Sequence, residues 1–215
     1  MCFSTSVSFG VGIVLSVIGV ASIKKAQSPS EIGFASIPLI FAVQQITEGF
    51  LWLSLSNPTY AALQQVSTFI FLIFAQVIWP ILIPFAIFKL EPKAKPKKFL
   101  KILVSIGVIV SIYLTYCLMN YAVEANIEAY HIFYKQNYPV LISRYIAFLY
   151  IVATILPTFI SSIKRMWVLG TFILISYIIS IIFYTDYFVS VWCFFASIIS
   201  IIILVIMNEL KNSKK

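Results

Sequence analysis

The sequence predicts an all-α integral membrane bundle of seven helices, and three observations predict it. Seven apolar stretches fill the chain, at about 6–23, 33–55, 65–88, 101–119, 142–163, 167–184 and 188–207. Each is long enough to cross a bilayer core as a helix. Charged residues are only 10% of the 215 and hydrophobic ones 61%, and the mean hydropathy is +1.02. A water-soluble domain of this size would need far more polar surface. The connectors alternate in charge: the first, third and fifth and the C-terminal tail carry 13 of the 15 basic residues, leaving only Lys135 and Arg144 for the other side. Positive connectors stay in the cytoplasm, so the N-terminus is expected outside and the C-terminus inside.

Span one holds Gly10, Gly12, Ser16 and Gly19, small residues that suit close helix packing. It is not read as a signal peptide, because no charged segment precedes it and Lys24-Lys25 follows it without a small-residue cleavage site. Span two carries Gln44, Gln45 and Glu48, then Trp52. Positions 44, 48 and 52 share one helix face, and a carboxyl group inside a span is costly enough to need an interior partner. Span three contains Gln76, Trp79, Pro80 and Pro84, and a proline kink at 80 beside polar groups is expected to open a cavity. Pro38 and Pro157 are expected to kink spans two and five. Span four follows the basic run Lys93–Lys101, a topology signal, and ends near Cys117, read as a small apolar filler.

Connector four, about 120–141, is the only long one. It holds the single histidine, His131, among Tyr121, Tyr130, Phe133, Tyr134 and Tyr138, and is expected to lie in the interface or cap the bundle. Arg144 opens span five and Asp186 opens span seven, where Ser190, Cys193, Ser197 and Ser200 continue down one face. Glu48 and Cys193 each lie seven residues from the outer end of their spans, which puts both about 10 Å deep at the helical rise.

The expected site is therefore a polar pocket in the outer half of one bundle spanning residues 1–215. Its members would be Cys2, Gln44, Gln45, Glu48, Trp52, His131, Arg144, Asp186 and Cys193. Each also has a plainer structural reading: filler for Cys193, a headgroup anchor for Arg144, a helix cap for Asp186, and interface or core aromatics for Trp52 and Trp192. Glu48 is the hardest to read as structural.

Several chemistries fit such a set. Cys2, Cys193 and His131 suit copper(I) or zinc, and Glu48 or Asp186 could complete a zinc site. After removal of Met1, Cys2 would carry a free α-amine beside its thiol and could serve as a nucleophile, so Cys2 and Glu48 are the catalytic candidates. In an oxidising compartment Cys2 and Cys193 could instead form a disulfide. The alternative is a proton- or cation-coupled carrier, channel or sensor built on Glu48. The bilayer is the expected partner, together with a small-molecule, lipid-like or ionic ligand. The net charge of +8 belongs to the cytoplasmic face and requires no nucleic acid. Retinal photochemistry fits poorly, because span seven has no lysine for a Schiff base.

The start Met1-Cys2-Phe3-Ser4, the run Phe41–Trp52, the pair Trp79-Pro80, the stretch His131–Tyr134 and the run Val189–Ala196 together carry a resemblance. The chain resembles a family of bacterial multi-pass membrane proteins of unknown function. The resemblance covers the whole chain. It implies a shared bundle in the bacterial inner (plasma) membrane and that Cys2, Gln44, Gln45, Glu48, Trp52, Trp79, Pro80, His131, Trp192 and Cys193 form one recurrent pattern. It implies no reaction.

Overall fold

The structure, a computed structural model, describes residues 4–128 and 130–213, without the side chains of Cys193, Phe194, Ala196 and Ser197. The chain is predominantly helical, and six helical segments are long and apolar enough to cross a membrane: Thr5–Ile23, Pro29–Ser56, Pro58–Leu90, Ala94–Asn120, Val140–Ile160 and Met166–Phe183.

The first helix, α1 (Thr5–Ile23), is capped by Ser4, whose hydroxyl accepts from the Val7 N–H at 3.3 Å. It lies against α3, and two of its glycines explain how closely. A Cβ on Gly12 would come within 2.7 Å of Ile46, and one on Gly19 within 2.7 Å of the Leu39 backbone nitrogen. Gly10, expected among these packing residues, instead faces open space. The second span is two helices, α2 (Pro29–Ala35) and α3 (Ile37–Ser56), divided at Ser36. Pro38 follows that division, where its missing N–H costs nothing in the first turn of α3.

The third span is the least regular. A 3-10 turn (Pro58–Leu63) leads into α4 (Gln64–Leu72), a π-helical stretch (Ile73–Ile78) and α5 (Trp79–Leu90). Pro80 accounts for the wide turn. It has no N–H for the carbonyl four residues back, and its ring crowds that carbonyl, so the helix widens just before it. Two carbonyls of the widened stretch find side-chain donors: Tyr150 Oη donates to Ala75 O at 2.6 Å and Ser111 Oγ to Val77 O at 2.7 Å. One turn later Pro84 leaves the Pro80 carbonyl without its helical donor. There α6 (Ala94–Asn120) presents Gly107, where a Cβ would lie 1.8 Å from Pro80 O.

Helix α6 begins seven residues earlier than the apolar stretch predicts. Its first turn tolerates Pro96, and its lysines can extend past the apolar surface. Connector four, read as a loop, is a β-hairpin in which β1 (Val123–Glu128) pairs antiparallel with β2 (His131–Gln136), Ala125 opposite Tyr134. Ile132 and Tyr134 are buried against Leu51, Trp52, Phe71 and Leu118.

Helices α7 (Val140–Ile160) and α8 (Met166–Phe183) follow. The last stretch, after a 3-10 turn at Thr185–Tyr187, is broken: α9 (Phe188–Phe194) has 7 residues and α10 (Ala196–Asn212) has 17. That break is why one continuous seventh helix is not seen, and it interrupts the expected serine face. Ser190 and Ser200 are nevertheless both buried.

Contacts define two ends. At one, Gln64 reaches the hairpin at Ala125 O (3.2 Å), and His131 stacks on Tyr187 with centroids 4.7 Å apart. At the other, Lys25 donates to Asn208 (2.9 Å), Glu91 binds Ser161 and Ser162, and Arg165 pairs with Glu209 (3.0 Å). The first, third and fifth connectors and the end of α10 therefore meet at a lysine-rich end. The main core, including Phe34, Ile87, Leu100, Met166, Ile203 and Ile206, lies toward the lysine-rich end.

Candidate functional site

Glu48 projects from the middle of α3 and is fully buried. Its Oε2 accepts from Gln45 Nε2 at 3.0 Å, one turn back on the same helix. Its Oε1 accepts from Ser190 Oγ at 2.6 Å, which joins α3 to α9 across 142 residues of sequence. The equal-depth argument for spans two and seven thus falls within one helical turn of a contact. Beside this pair, Gln44 Oε1 accepts from Trp79 Nε1 at 2.7 Å, and the Trp79 indole stacks on Phe41 with centroids 3.9 Å apart. Burying these groups costs little because each is hydrogen-bonded.

The other expected members are distributed differently. Trp52 is buried beneath the hairpin, and its Nε1 has no hydrogen-bond partner among the described residues. His131 sits at the start of β2 between Tyr187 and Tyr184, and burial lowers its pKa from the ordinary histidine range. Arg144 is exposed on α7, and Asp186 is exposed in the 3-10 turn before α9. Asp186 also borders the cavity described below. Cys2 and the thiol of Cys193 lie outside the described residues, so the two-thiolate arrangement has no geometry here. Among the described residues no three His, Cys, Asp or Glu side chains gather to hold a metal ion. Cys117 is a buried free thiol on α6, as the filler reading expects.

A cavity of about 560 Å³ lies between α3, the π-helical stretch, α5 and α7–α10. Its wall is apolar along most of its length, from Phe34, Ile87 and Leu169 to Tyr150, Tyr177 and Trp192. Leu169 and Ile181, twelve residues apart on α8, both line it, so it runs roughly 18 Å along the bundle. Trp192 Nε1 donates to Ser176 Oγ at 3.1 Å, which satisfies the indole and fixes its ring.

Polar groups collect toward the hairpin end of the cavity. Tyr138 Oη donates to Gln76 Oε1 at 3.1 Å, and Gln76 Nε2 donates to Gln136 Oε1 at 2.9 Å. Burial pushes the Tyr138 hydroxyl well above the usual tyrosine range, so it keeps its proton. Gln76 and Trp79 enter the wall where Pro80 widens the helix, which is the cavity anticipated beside that proline. Gln136 was missed in the sequence because the hairpin was not foreseen. Its place two residues beyond Tyr134 and four beyond Ile132, on the same face of a strand, is a signal that could have found it.

At the lysine-rich end a second buried carboxylate, Glu91, was also passed over. It accepts from Lys93 N (3.0 Å), Ser161 Oγ (2.8 Å), Ser162 N (2.8 Å) and Ser162 Oγ. Burial alone would raise its pKa, but the bonds from Ser162, Lys93 and Ser161 outweigh it and hold the carboxyl below its ordinary value.

No curated protein and no solved structure matches the chain. A model of the family of unknown function DUF6629 matches residues 1–215. The chain, from first residue to last, belongs to that family of unknown function, DUF6629.

Proposed function

We propose that this protein is a seven-span bundle of the bacterial plasma membrane, N-terminus outside, whose central cavity binds a lipid-like small molecule. The observation that carries the reading is the cavity of about 560 Å³ with an aromatic and aliphatic wall and a polar cluster at one end. That size and lining suit a small amphiphile. For the topology, the support is the six long apolar helices, the passage of α9 and α10 from the hairpin end to the lysine-rich end, and the basic residues gathered at the latter.

Two experiments test this reading. Purified protein in detergent should retain or take up a fluorescent apolar probe, and Ile173→Trp or Thr154→Trp, each placing an indole in the cavity, should abolish uptake while the protein stays folded. Unchanged uptake in both variants would remove the reading. For orientation, a membrane-impermeant thiol reagent applied to intact cells should modify a Lys135→Cys variant and spare a Lys97→Cys variant. The opposite labelling would invert the bundle.

A second reading is favoured by one observation: Glu48 is fully buried and joins α3 to α9 through Ser190. Such a carboxyl group suits a proton- or cation-coupled carrier or sensor. Glu48→Gln should then abolish pH-dependent uptake into vesicles, and unaltered uptake would exclude it.

A further inference from the structure

The polar cluster of the cavity has a direction. Tyr138 Oη donates a hydrogen bond to Gln76 Oε1, and Gln76 Nε2 donates one to Gln136 Oε1. The chain of donors therefore ends on Gln136 Nε2, which is buried and has no partner among the described residues. A buried amide N–H left unmatched is costly, so this position calls for an acceptor from a bound molecule. Charge narrows the acceptor further. Among the described residues lining the cavity there is no lysine or arginine, and the one ionisable acid, Asp186, stands at the hairpin end. An anionic head would enter without a counter-charge and against a carboxylate.

We propose that the occupant is an uncharged amphiphile whose carbonyl oxygen accepts from Gln136 Nε2 while its apolar chain runs along α8 toward Leu169 and Ile203. This rests on the reading of the cavity as a lipid-like binding site and adds the chemistry of the head and the direction in which the molecule lies. Two classes of molecule carry that head on an apolar chain: acyl esters and alkyl quinones.

The test is competition against radiolabelled methyl palmitate bound to the purified full-length protein, using hexadecane, palmitate and a decyl-substituted benzoquinone. Methyl palmitate or the benzoquinone should bind at least about tenfold more tightly than hexadecane or palmitate, and the tighter of the two identifies the class. That ratio corresponds to about 1.4 kcal/mol. Gln136→Leu should bring the carbonyl compounds down to the level of hexadecane and leave hexadecane itself unchanged. If palmitate binds as tightly as its methyl ester, or if Gln136→Leu keeps the tenfold preference, the head assignment is wrong. Equal binding of hexadecane and methyl palmitate by the unmodified protein overturns the head assignment but leaves the cavity reading standing. Binding of none of the four removes both. The comparison among ligands on the unmodified protein decides the matter even if Gln136→Leu fails to fold.

Discussion

The two ends of the molecule bury polar groups in opposite ways. At the lysine-rich end, Glu91 is enclosed by four donors from Lys93, Ser161 and Ser162, and an ion pair joins Arg165 to Glu209. The serine bonds fasten the third connector to the fifth, and the ion pair fastens the fifth to the end of α10. At the hairpin end the polar side chains line a cavity, and their hydrogen bonds finish on Gln136, a lining residue whose buried Nε2 has no partner among the described residues. The contrast teaches that buried polarity alone does not mark a site. Glu91 is as deeply buried as Glu48, yet its partners are turn residues whose satisfaction locks the chain. Polar groups that line space are the ones available to a ligand.

The largest expected effect breaks the fastened end. Glu91→Ala leaves hydroxyl and amide donors without their acceptor and should cost about 3 kcal/mol of stability, read as a fall in apparent melting temperature in a fixed detergent. A fall no larger than that of an exposed substitution would erase the contrast. The same group gives a pH signature. Its folded pKa lies below the ordinary 4.5, so its contribution is present above that pH and is lost as pH falls through the lower folded value. Glu91→Gln should flatten the melting temperature against pH in that range.

His131 gives the hairpin end an earlier acid response. Burial lowers its pKa below 6.5, so the folded state binds fewer protons than the unfolded chain, and stability is lost as pH falls below 6.5. Hydrogen exchange in 123–136 should therefore quicken at a higher pH than exchange around Glu91, and His131→Phe should remove the difference. Simultaneous loosening of both ends would show them to be one cooperative unit.

Arg165 stands at a smaller scale. It is the one described non-glycine residue with positive φ, at 63°, and it also holds Glu209. Arg165→Gly relieves the backbone while losing the ion pair, so the two effects should cancel to within about 1 kcal/mol. Arg165→Ala loses the ion pair without relieving the backbone and should be the less stable of the two. Smallest of all, the Lys135–Glu124 pair is 3.6 Å long, and more than half of each side chain is exposed. Lys135→Ala should change stability by less than about 0.5 kcal/mol, measured in the same melt.

Much of the fold was legible because apolar length and connector charge are one-dimensional properties. The bounds of span one, of span six and of the helix around Glu48 follow from them. The shared depth of Glu48 and Cys193 was legible, since helical rise converts residue number to depth, but the contact of Glu48 with Ser190, one turn from Cys193, was not, because depth carries no packing order. The hairpin was not, because the aromatic residues of 120–141 read as interface anchors, and a two-stranded ladder leaves only a short alternation in the sequence. The break at Ser36 has a local mark in Pro38, read as a kink and found in the first turn of α3, whereas the break at Phe195 has no proline or glycine beside it in the sequence. Gln136 was hidden with the hairpin. Glu91 was hidden because an acid beside a lysine run reads as solvated until the serines from another connector are seen against it.

The widened turn before Pro80 has a consequence for chains related to this one. A π turn accommodates one more residue than the α-helix it replaces, which rotates everything after it by about 100°. It has the geometry of a one-residue insertion held inside a helix by the proline. Family members that keep the proline should keep the spacing from Phe71 to Trp79. Members that have lost it should be one residue shorter there, and their tryptophan should still fall opposite the glutamine at position 44.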